Sequence, residues 1–275
     1  MDNSAKGFVQ SIIPIDKPDL FIYFKPLYLK TKKFLSPVMC LVIWELIVKM
    51  GIINPFFCPA PTSIAKELYG LVFTNELWIN LYDSLFRAVC GYFLAALFGV
   101  GVGLIVVWSK FMEDLIDPLI ELVRPVSTFA VIPIFFIWFG IGDVSKVLII
   151  AKACFFPIVL NTIAGIKGVD PKLIQAARSL GAKGFALWTK VLIPSALPMI
   201  STGLRVATSM SVTTLVGVEM LSADSGIGFM VIDAQRVFAT EKMFAGILVL
   251  SALGFSFDRL ARLMQNRVLS WHKGI

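Results

Sequence analysis

Residues 88–108 form a run of apolar and small side chains, AVCGYFLAALFGVGVGLIVVW, that contains no charged residue. A helix needs about 20 such residues to cross the hydrocarbon of a bilayer. Backbone polar groups in lipid must be paired within the chain, so a run of this length predicts a helix and excludes a barrel strand. The composition agrees, since 57% of the residues are hydrophobic and 16% are charged. We therefore predict an all-α integral membrane protein and exclude a soluble globular domain.

The same criterion predicts about six transmembrane helices. The second contains the uncharged run, whereas Glu45 interrupts the first. We divide the chain into a cytoplasmic N-terminal segment (1–33), which suits an interfacial helix or a loosely attached tail, a transmembrane domain (34–265) and a cytoplasmic tail (266–275). The predicted spans are 34–51, 84–108, 120–140, 146–166, 194–220 and 241–260.

Lysine and arginine are distributed unevenly between the two ends of these spans. Most of them lie before the first span, in the loop 167–193 and after the last span. By the positive-inside rule, both termini and this loop face the cytoplasm. The topology accounts for the net charge of +7 and removes the reason to predict nucleic-acid binding. The N-terminal segment lacks the layout of a cleaved signal peptide and is expected to be retained.

Two patterns inside the spans concern helix packing. Gly91, Ala95, Gly99 and Gly103 recur every four residues, which places small side chains on one stripe and predicts a closely packed neighbour. Prolines are frequent, and each removes a backbone hydrogen bond. They are consistent either with bent helices around a path or with kinked packing alone. These prolines are Pro125, Pro133, Pro157, Pro194 and Pro198.

Few ionisable side chains fall at membrane depth, and each must face protein, water or an interface because charge is costly in hydrocarbon. Glu45 interrupts the first span, and Arg87 lies near the outer start of the second. A translocation path is predicted from the three remaining ionisable residues and from hydroxyl groups of the fifth span. The two cations of this path would attract an anion. Pairing of the cations with Glu219, or snorkelling to a lipid headgroup, is the alternative. The predicted path is lined by Lys152, Arg205, Ser209, Thr213 and Glu219.

Metal and nucleotide binding are not predicted for this chain. The four cysteines are widely spaced without a CxxC pair, and the histidine, His272, lies in the tail. The GVGVG run at 99–103 does not open a βαβ unit, and the chain has no GxxxxGK[ST] phosphate-binding motif. If ATP drives this protein, another subunit binds it.

The loop 167–194, KGVDPKLIQAARSLGAKGFALWTKVLIP, is predicted to form two short helices. Asp170 suits a helix N-cap, Pro171 suits the first turn, and Gly181 suits a left-handed stop after Leu180. The second helix, over 182–190, carries apolar residues beside lysines and is too short to span. Such a patch on a cytoplasmic loop indicates a docking partner, and lying flat on the membrane is the alternative.

The segment QAARSLG at 175–181 is followed after nine residues by Val191 and then by Ile193 and Pro194. This spacing resembles the EAA loop of ABC importer permeases, with Gln175 in place of the glutamate. The resemblance implies a type I ABC importer permease fold in which this loop is the coupling element, seated in a cleft of a cytoplasmic ATPase. It assigns ATPase coupling to Gln175, Ala176, Ala177, Gly181, Ala182, Phe185, Leu187, Trp188 and Lys190.

Further similar motifs extend over roughly 35–272 and narrow the family. WFGIGDVSK at 138–146 and SGIGFM at 225–230 are similar to permeases of the taurine, sulfonate, nitrate and bicarbonate group, and SWH at 270–272 is similar to taurine-type members. The P-x-P-P pattern of the third span is replaced here by PVST at 125–128. The 225–230 motif is expected to cap the outer mouth through Ser225, Gly226 and Gly228.

The resemblance also implies the partners. These are a second copy of the permease, two cytoplasmic ATP-binding subunits and an extracytoplasmic substrate-binding protein, assembled in the lipid of a bacterial plasma (inner) membrane. ATP and Mg would be bound by the ATPase, with no cofactor in this chain, which is not an enzyme.

We predict import of a small anion, with taurine or another alkanesulfonate first and nitrate, bicarbonate or a thiamine precursor as alternatives. The rivals from other classes are a passive channel and a membrane enzyme built on Asp83, Asp114, Asp117 and Glu121.

Overall fold

The computed structural model describes residues 20–222 and 224–269, with side chains for 35–222 and 224–267. These residues form helices and their connections, and the described part of the chain contains no strand. The chain divides into a first unit, 1–62, and a second unit, 63–275. The first unit contains α1 (Leu20–Lys49), in which Glu45 accepts hydrogen bonds from Thr62. The predicted all-α fold class is confirmed.

The helices after α1 differ widely in length. Among the described helices, four are long and apolar enough to cross a membrane: α3 (Asn75–Trp108), α6 (Asp143–Lys167), the continuous segment Gly184–Ser222 and α11 (Thr240–Val268). They contain the spans predicted at 84–108, 146–166, 194–220 and 241–260. The order is α2 (Pro61–Val72), α3 (Asn75–Trp108), α4 (Lys110–Val123), α5 (Ile132–Phe139), α6 (Asp143–Lys167), α7 (Pro171–Ser179), α8 (Gly184–Leu187), α9 (Ile193–Ser222), α10 (Ile227–Arg236) and α11 (Thr240–Val268).

The span predicted at 120–140 is not a single helix. α4 ends at Val123, and a 3₁₀ turn at Phe129–Val131 leads into the short α5. Pro125 follows the end of α4 and has no N–H to continue the helical hydrogen bonds, while Pro133 occupies the first turn of α5, where no donor is needed. The third apolar segment is therefore two helices joined by a bent connection.

The first predicted span, 34–51, lies within the longer α1, which begins at Leu20. This helix is not among the described helices that meet the length and hydropathy criteria for a span. Most of the proposed interfacial segment, together with His272 and the SWH motif at 270–272, lies outside the described residues.

α3 and α6 pack closely along the stripe of small residues. A Cβ added at Gly91, Gly99 or Gly103 would lie 2.6 to 2.9 Å from side-chain carbons of α6. Ala95, between them on the stripe, is buried. Two backbones approach this closely only where side chains are minimal. The close neighbour predicted from the stripe is confirmed, and it is α6.

α6 also packs against α9 on its other side. A Cβ at Gly203 of α9 would lie 2.6 Å from Cβ of Asn161 and 2.9 Å from the carbonyl oxygen of Pro157, both on α6. α3, α6 and α9 thus form one packed group whose two ends carry the candidate sites. Their shared buried core consists of Ala88, Ala95, Ile150, Ala151, Cys154, Ile158, Ala207 and Leu215.

Candidate functional site

The coupling segment (residues 167–194) begins with a capped helix. The side chain of Asp170 accepts a hydrogen bond from the N–H of Lys172 at 2.8 Å, and Pro171 occupies the first turn of α7. Gly181 has a φ of +87°, a left-handed conformation that glycine adopts without strain. The predicted cap and stop are confirmed, and α7 ends at Ser179, one residue earlier than predicted.

One side of the coupling segment exposes apolar side chains. Leu180 is 88% exposed and Phe185 is 72% exposed, and Leu173 is exposed as well. Large apolar side chains grouped in this way on a surface indicate contact with another chain. The predicted coupling residues that lie on the surface are Gln175, Ala176, Gly181, Phe185 and Lys190.

The other side of the coupling segment is turned inward. Leu187 is 8% exposed and joins Leu192 in a buried cluster formed within the segment itself. Trp188 stacks on Trp108, the last residue of α3, with ring centroids 5.0 Å apart and planes inclined by 27°. The contacts of Trp188 fix the segment to the membrane helices. The predicted coupling residues on this inner side are Ala177, Ala182, Leu187 and Trp188.

The coupling segment continues into α9 without a loop. The prediction of a separate helix over 182–190 is wrong, because α8 leads through a π-helical turn at Trp188–Leu192 directly into α9. The N–H of Ile193 donates to the carbonyl of Trp188, five residues earlier. Pro194 follows and has no N–H to donate. The π-helical turn therefore lies where the regular pattern of backbone hydrogen bonds is already interrupted. The end of the coupling segment and α9 therefore form one continuous helical stretch.

Ion pairs join the start of the coupling segment to α4. Nζ of Lys167 lies 2.8 Å from Oε1 of Glu113, and Nζ of Lys110 lies 3.3 Å from its Oε2. The hydrogen bonds from Lys167 and then Lys110 hold the pKa of Glu113 below its usual value. These groups are accessible to solvent, so the pairs contribute little to stability and mainly orient the side chains.

The two predicted path cations have partners within the chain. Nζ of Lys152 donates to the carbonyl of Val126 at 2.6 Å, in the connection between α4 and α5. Nε of Arg205 lies 3.4 Å from Oδ1 of Asp258 on α11. Neither cation pairs with Glu219. Lys152 therefore satisfies a carbonyl that the broken helix leaves free, and Arg205 links α9 to α11.

Ser209 and Thr213 lie on an exposed face of α9. The two residues are one helical turn apart, and the hydroxyl of Thr213 donates to the carbonyl of Ser209 at 3.0 Å. Val206 and Met210 are exposed on the same face. The structure brings these two predicted path residues together on an accessible surface, and it separates them from Lys152 and Glu219.

Glu219 lies in a buried hydrogen-bond network at the end of α9. Its carboxylate accepts hydrogen bonds from the Ser84 hydroxyl at 2.8 Å and from Nη1 of Arg87 at 2.9 Å. Arg87 also donates to Asp143 at 2.7 Å, and to the carbonyl and hydroxyl of Ser225 at 2.7 and 2.9 Å. Arg87 is 3% exposed and Glu219 is 1% exposed. Charges are buried here because each is paired and hydrogen-bonded.

The α9–α10 loop (residues 224–226) and the first turn of α10 close this network. Gly226 has a φ of +115°, and a Cβ there would lie 2.3 Å from Oε1 of Glu219. Only glycine fits so close to the carboxylate. Three successive N–H groups, from the N-cap and first turn of α10, donate into the network: Gly226 to Oδ1 of Asn80 at 2.7 Å, Ile227 to Oγ of Ser84 at 2.8 Å, and Gly228 to Oε2 of Glu219 at 2.9 Å.

The buried network and the coupling segment lie at opposite ends of α3. Arg87 contributes to the network and Trp108 stacks on the coupling segment, so the two sites are about 30 Å apart along the helix at ~1.5 Å per residue. This separation matches the hydrocarbon thickness of a membrane. The predicted outer-mouth residues, Ser225, Gly226 and Gly228, are thus far from the predicted coupling residues.

The sequence indicated Arg87 and Glu219 separately but not as a pair. The two side chains carry opposite charges, and each lies near the predicted outer end of its span. That shared location is the signal that could have identified them as a pair. The remaining partners carried no comparable signal, because polar residues near a span end are common. The functional residues that the sequence analysis missed are Asn80, Ser84, Trp108 and Asp143.

Comparison with known proteins finds one family and close relatives. Residues 91–270 match the family described as binding-protein-dependent transport system inner membrane component. The chain is 37% identical over 240 residues to a Bacillus subtilis (strain 168) protein named as an aliphatic sulfonates transport permease, SsuC, covering 87% of each chain. It is 38% identical over 237 residues to the taurine transport system permease protein TauC of Escherichia coli (strain K12), covering 84% of this chain and 86% of the relative.

The fold is similar to that of a solved ABC transporter. The MetNI methionine ABC transporter in an inward-facing conformation matches with a TM-score of 0.59 and 17% sequence identity. The match covers 70% of this chain and 97% of the other. The predicted type I importer permease fold is confirmed.

Proposed function

This chain belongs to the family of binding-protein-dependent transport system inner membrane components, and we propose that it carries alkanesulfonates, with taurine as the first candidate, across the inner membrane. It is a multi-pass membrane subunit of an ABC transporter and not an enzyme, because ATP hydrolysis belongs to a separate subunit. Permeases of this family work with an ATPase and a substrate-binding protein.

The observation that carries the proposal is the two-sided coupling segment. Leu180 and Phe185 offer an exposed apolar surface to an ATPase, while Trp188 holds the opposite side to the spans. Movement of the ATPase pair would then displace α9 through the π-helical turn and α3 through Trp108. Such movement drives transport when substrate interacts differently with the inward-facing and outward-facing states.

The exposed face of α9 is the proposed lining of the substrate path. The hydroxyl of Ser209 is a suitable donor for the oxygens of a sulfonate, and that of Thr213 becomes one when it releases the carbonyl of Ser209. Arg205 adds a partly exposed positive charge on the same helix. Lys152 and Glu219 are proposed to support the path without lining it. Lys152 does so through its hydrogen bond to the carbonyl of Val126, and Glu219 does so through the buried network. Selectivity is assigned mainly to the substrate-binding protein.

A homodimer with a cytoplasmic coupling end completes the proposal. A second copy facing α9 would enclose the hydroxyl-bearing surface between two chains and away from lipid. Both termini and the coupling segment face the cytoplasm, as the lysine and arginine distribution indicates. ATP and Mg are bound by the ATPase subunits and not by this chain. Light scattering of the purified complex tests for two permease copies, and labelling of a cysteine placed at Leu180 in intact cells and in inverted vesicles tests the orientation.

Calorimetry on the cognate substrate-binding protein tests the substrate. Tight binding of taurine without binding of nitrate is expected. Tight binding of nitrate, bicarbonate or a thiamine precursor, with no taurine binding, would reject the alkanesulfonate assignment. Uptake of labelled taurine into proteoliposomes should require ATP, and taurine flux through the purified chain without an ATPase would favour a passive channel instead.

A further inference from the structure

We propose that the last turns of α11 bind a phospholipid with an anionic headgroup, held by Arg259 and Arg267 on either side of Leu263. This lipid-binding face (residues 259–267) belongs to α11, which ends at Val268. The inference rests on the proposed function for its orientation, which places this end of α11 at the cytoplasmic leaflet. It adds a ligand class and a site that lie outside the substrate path and the coupling segment.

The first observation is that α11 is longer than a bilayer is thick. Its 29 residues extend about 43 Å at ~1.5 Å per residue, whereas the hydrocarbon is ~30 Å thick. The first turn of α11 is fixed to the start of α3, because Nζ of Lys242 lies 2.7 Å from Oε1 of Glu76. From that turn, about 20 residues cross the hydrocarbon and reach position 262. The last turns therefore lie at the level of the lipid headgroups.

The second observation is that these turns expose apolar and cationic side chains together. Leu260 is 58% exposed, Leu263 is 51% exposed and Met264 is 66% exposed. Arg259 and Arg267 are exposed as well. Each arginine is four residues from Leu263, so the three side chains share one face of the helix. A face of this kind suits a lipid, because the apolar side chains contact acyl chains while the arginines reach the headgroup.

The third observation concerns the charges at this end of α11. Oδ2 of Asp258 accepts a hydrogen bond from Nε of Arg262 at 2.7 Å, and its Oδ1 lies 3.4 Å from Nε of Arg205. Arg259 and Arg267 form no ion pair with a carboxylate among residues 35–222 and 224–267. The one aspartate of these turns is thus already paired, and two guanidinium groups are left for an anion from outside the chain.

A phosphodiester is the anion that fits both the charge and the location. Guanidinium groups bind phosphate oxygens through paired hydrogen bonds, and basic side chains beside a membrane span are attracted to anionic lipids at the cytoplasmic leaflet. A soluble phosphate would use the arginines and leave Leu260, Leu263 and Met264 exposed to water. The exposed apolar side chains therefore favour a phospholipid as the occupant.

The lipid-binding face adjoins the ion pair that links α11 to α9. Asp258, the partner of Arg205, directly precedes Arg259. Arg205 is the cation of the proposed substrate path. We expect the bound lipid to hold this turn of α11 and thereby to keep Asp258 beside Arg205.

The test measures lipid binding by the complete transporter, purified with its ATPase subunits in a non-ionic detergent. Phosphatidylglycerol labelled on an acyl chain with a fluorophore is titrated, and its fluorescence anisotropy gives the mole fraction in the micelles at half-saturation. The double variant Arg259→Gln/Arg267→Gln should raise this mole fraction about 25-fold, or roughly fivefold for each charge removed. An unchanged mole fraction would overturn the inference.

Two matched variants separate loss of charge from a general defect. Arg259→Lys/Arg267→Lys keeps both charges and should restore much of the affinity. Arg236→Gln removes an exposed arginine at the end of α10, away from the lipid-binding face, and should leave binding unchanged. The melting temperature of each complex is recorded, so that a folding defect is recognised. Equal loss of binding in the Arg236 variant would show that net charge acts instead of a site, which would overturn the inference.

Competition experiments identify the occupant. Unlabelled phosphatidylglycerol should displace the probe, and binding should weaken as the salt concentration rises. Displacement by phosphatidylcholine to the same extent would show an apolar surface without headgroup recognition, and displacement by glycerol 3-phosphate would show a site for a soluble phosphate. Either result overturns the inference. So does a double variant that keeps its lipid affinity but loses its ATPase subunits, because the face would then dock a protein.

The proposed function can fail separately from this inference. Selective binding of phosphatidylglycerol by a transporter that imports no taurine would contradict the proposed function alone. Taurine import by a transporter that does not distinguish phosphatidylglycerol from phosphatidylcholine would contradict the lipid site alone.

Discussion

The two ends of α3 are held by different kinds of interaction. At one end, Arg87 and Ser84 form hydrogen bonds and an ion pair to Glu219 in a fully buried network. At the other end, Trp108 stacks on Trp188, and Leu180 and Phe185 are left exposed nearby on the coupling segment. Hydrogen bonds to charged groups require one geometry, whereas stacked rings and apolar contacts tolerate small displacements.

This difference indicates how the two ends share the work of a transporter. The end with the network holds a fixed arrangement of α3, α6, α9 and the α9–α10 loop. The end with the coupling segment is attached by contacts that allow movement and offers apolar surface for a partner. The closely packed stripe between α3 and α6 lies between the two ends, so we expect a displacement at one end to be passed to the other.

The largest effect is expected from breaking the buried ion pair. Arg87→Met leaves the carboxylate of Glu219 buried without its cation and should cost about 3–5 kcal/mol of stability, measured as loss of folded protein on heating in detergent. Arg205→Met, which removes a partly exposed pair with Asp258, is the control and should change stability far less. Equal losses for the two arginine variants would show that burial does not set the Arg87–Glu219 pair apart from an accessible ion pair.

The next effect concerns the stripe that joins the two ends. Gly103→Ala places a Cβ 2.6 Å from Cβ of Thr162 and should cost about 1–3 kcal/mol through overpacking, seen as a lower melting temperature. Gly101→Ala, two residues earlier on the same helix, meets no atom within 4 Å and should be neutral or slightly stabilising. A neutral Gly103→Ala would contradict the close contact between α3 and α6.

A smaller effect separates the two sides of the coupling segment. Trp188→Ala removes the stack on Trp108, and such pairs contribute about 0.5–1.5 kcal/mol beyond buried area, so the melting temperature of the isolated permease should fall. Phe185→Ala removes an exposed ring and should leave that temperature unchanged while weakening ATPase association. The assignment of the two sides is reversed if Phe185→Ala destabilises the permease and Trp188→Ala weakens only ATPase binding.

The smallest effect is a pH dependence beside the coupling segment. Lys167 and Lys110 lower the pKa of Glu113 from its usual value of 4.5, so the carboxylate stabilises the folded state above that pH and loses its contribution as the pH falls through the lowered pKa. Glu113→Gln should therefore melt slightly below the wild type at neutral pH, and the difference should vanish in acid and in high salt. A difference that grows on acidification would have the wrong sign for these ion pairs.

The sequence predicted local features of the coupling segment well. The N-cap at Asp170, the proline after it and the left-handed Gly181 depend on interactions within a few residues, so their residue types were sufficient. The segment from Trp188 into α9 was predicted less well, because a π-helical turn differs from an α-helix only in which carbonyl each N–H selects. Pro125 indicated a bend in the third span, but the sequence did not indicate that the helix ends at Val123, because a proline bends some membrane helices and ends others.

The features of the candidate sites also divide into those that the sequence determines and those that it does not. Apolar runs, small-residue periodicity and cap signals determined the all-helical membrane fold, the close packing of α3 on a neighbour and the position of the coupling segment, because these follow from the solvent and from spacing along one helix. Only the tertiary structure decided that Glu219 pairs with Arg87 and not with Lys152 or Arg205, and that Trp188 turns inward to Trp108. Those choices depend on which faces of distant helices meet, and a side chain long enough to reach several partners is assigned to one of them by packing.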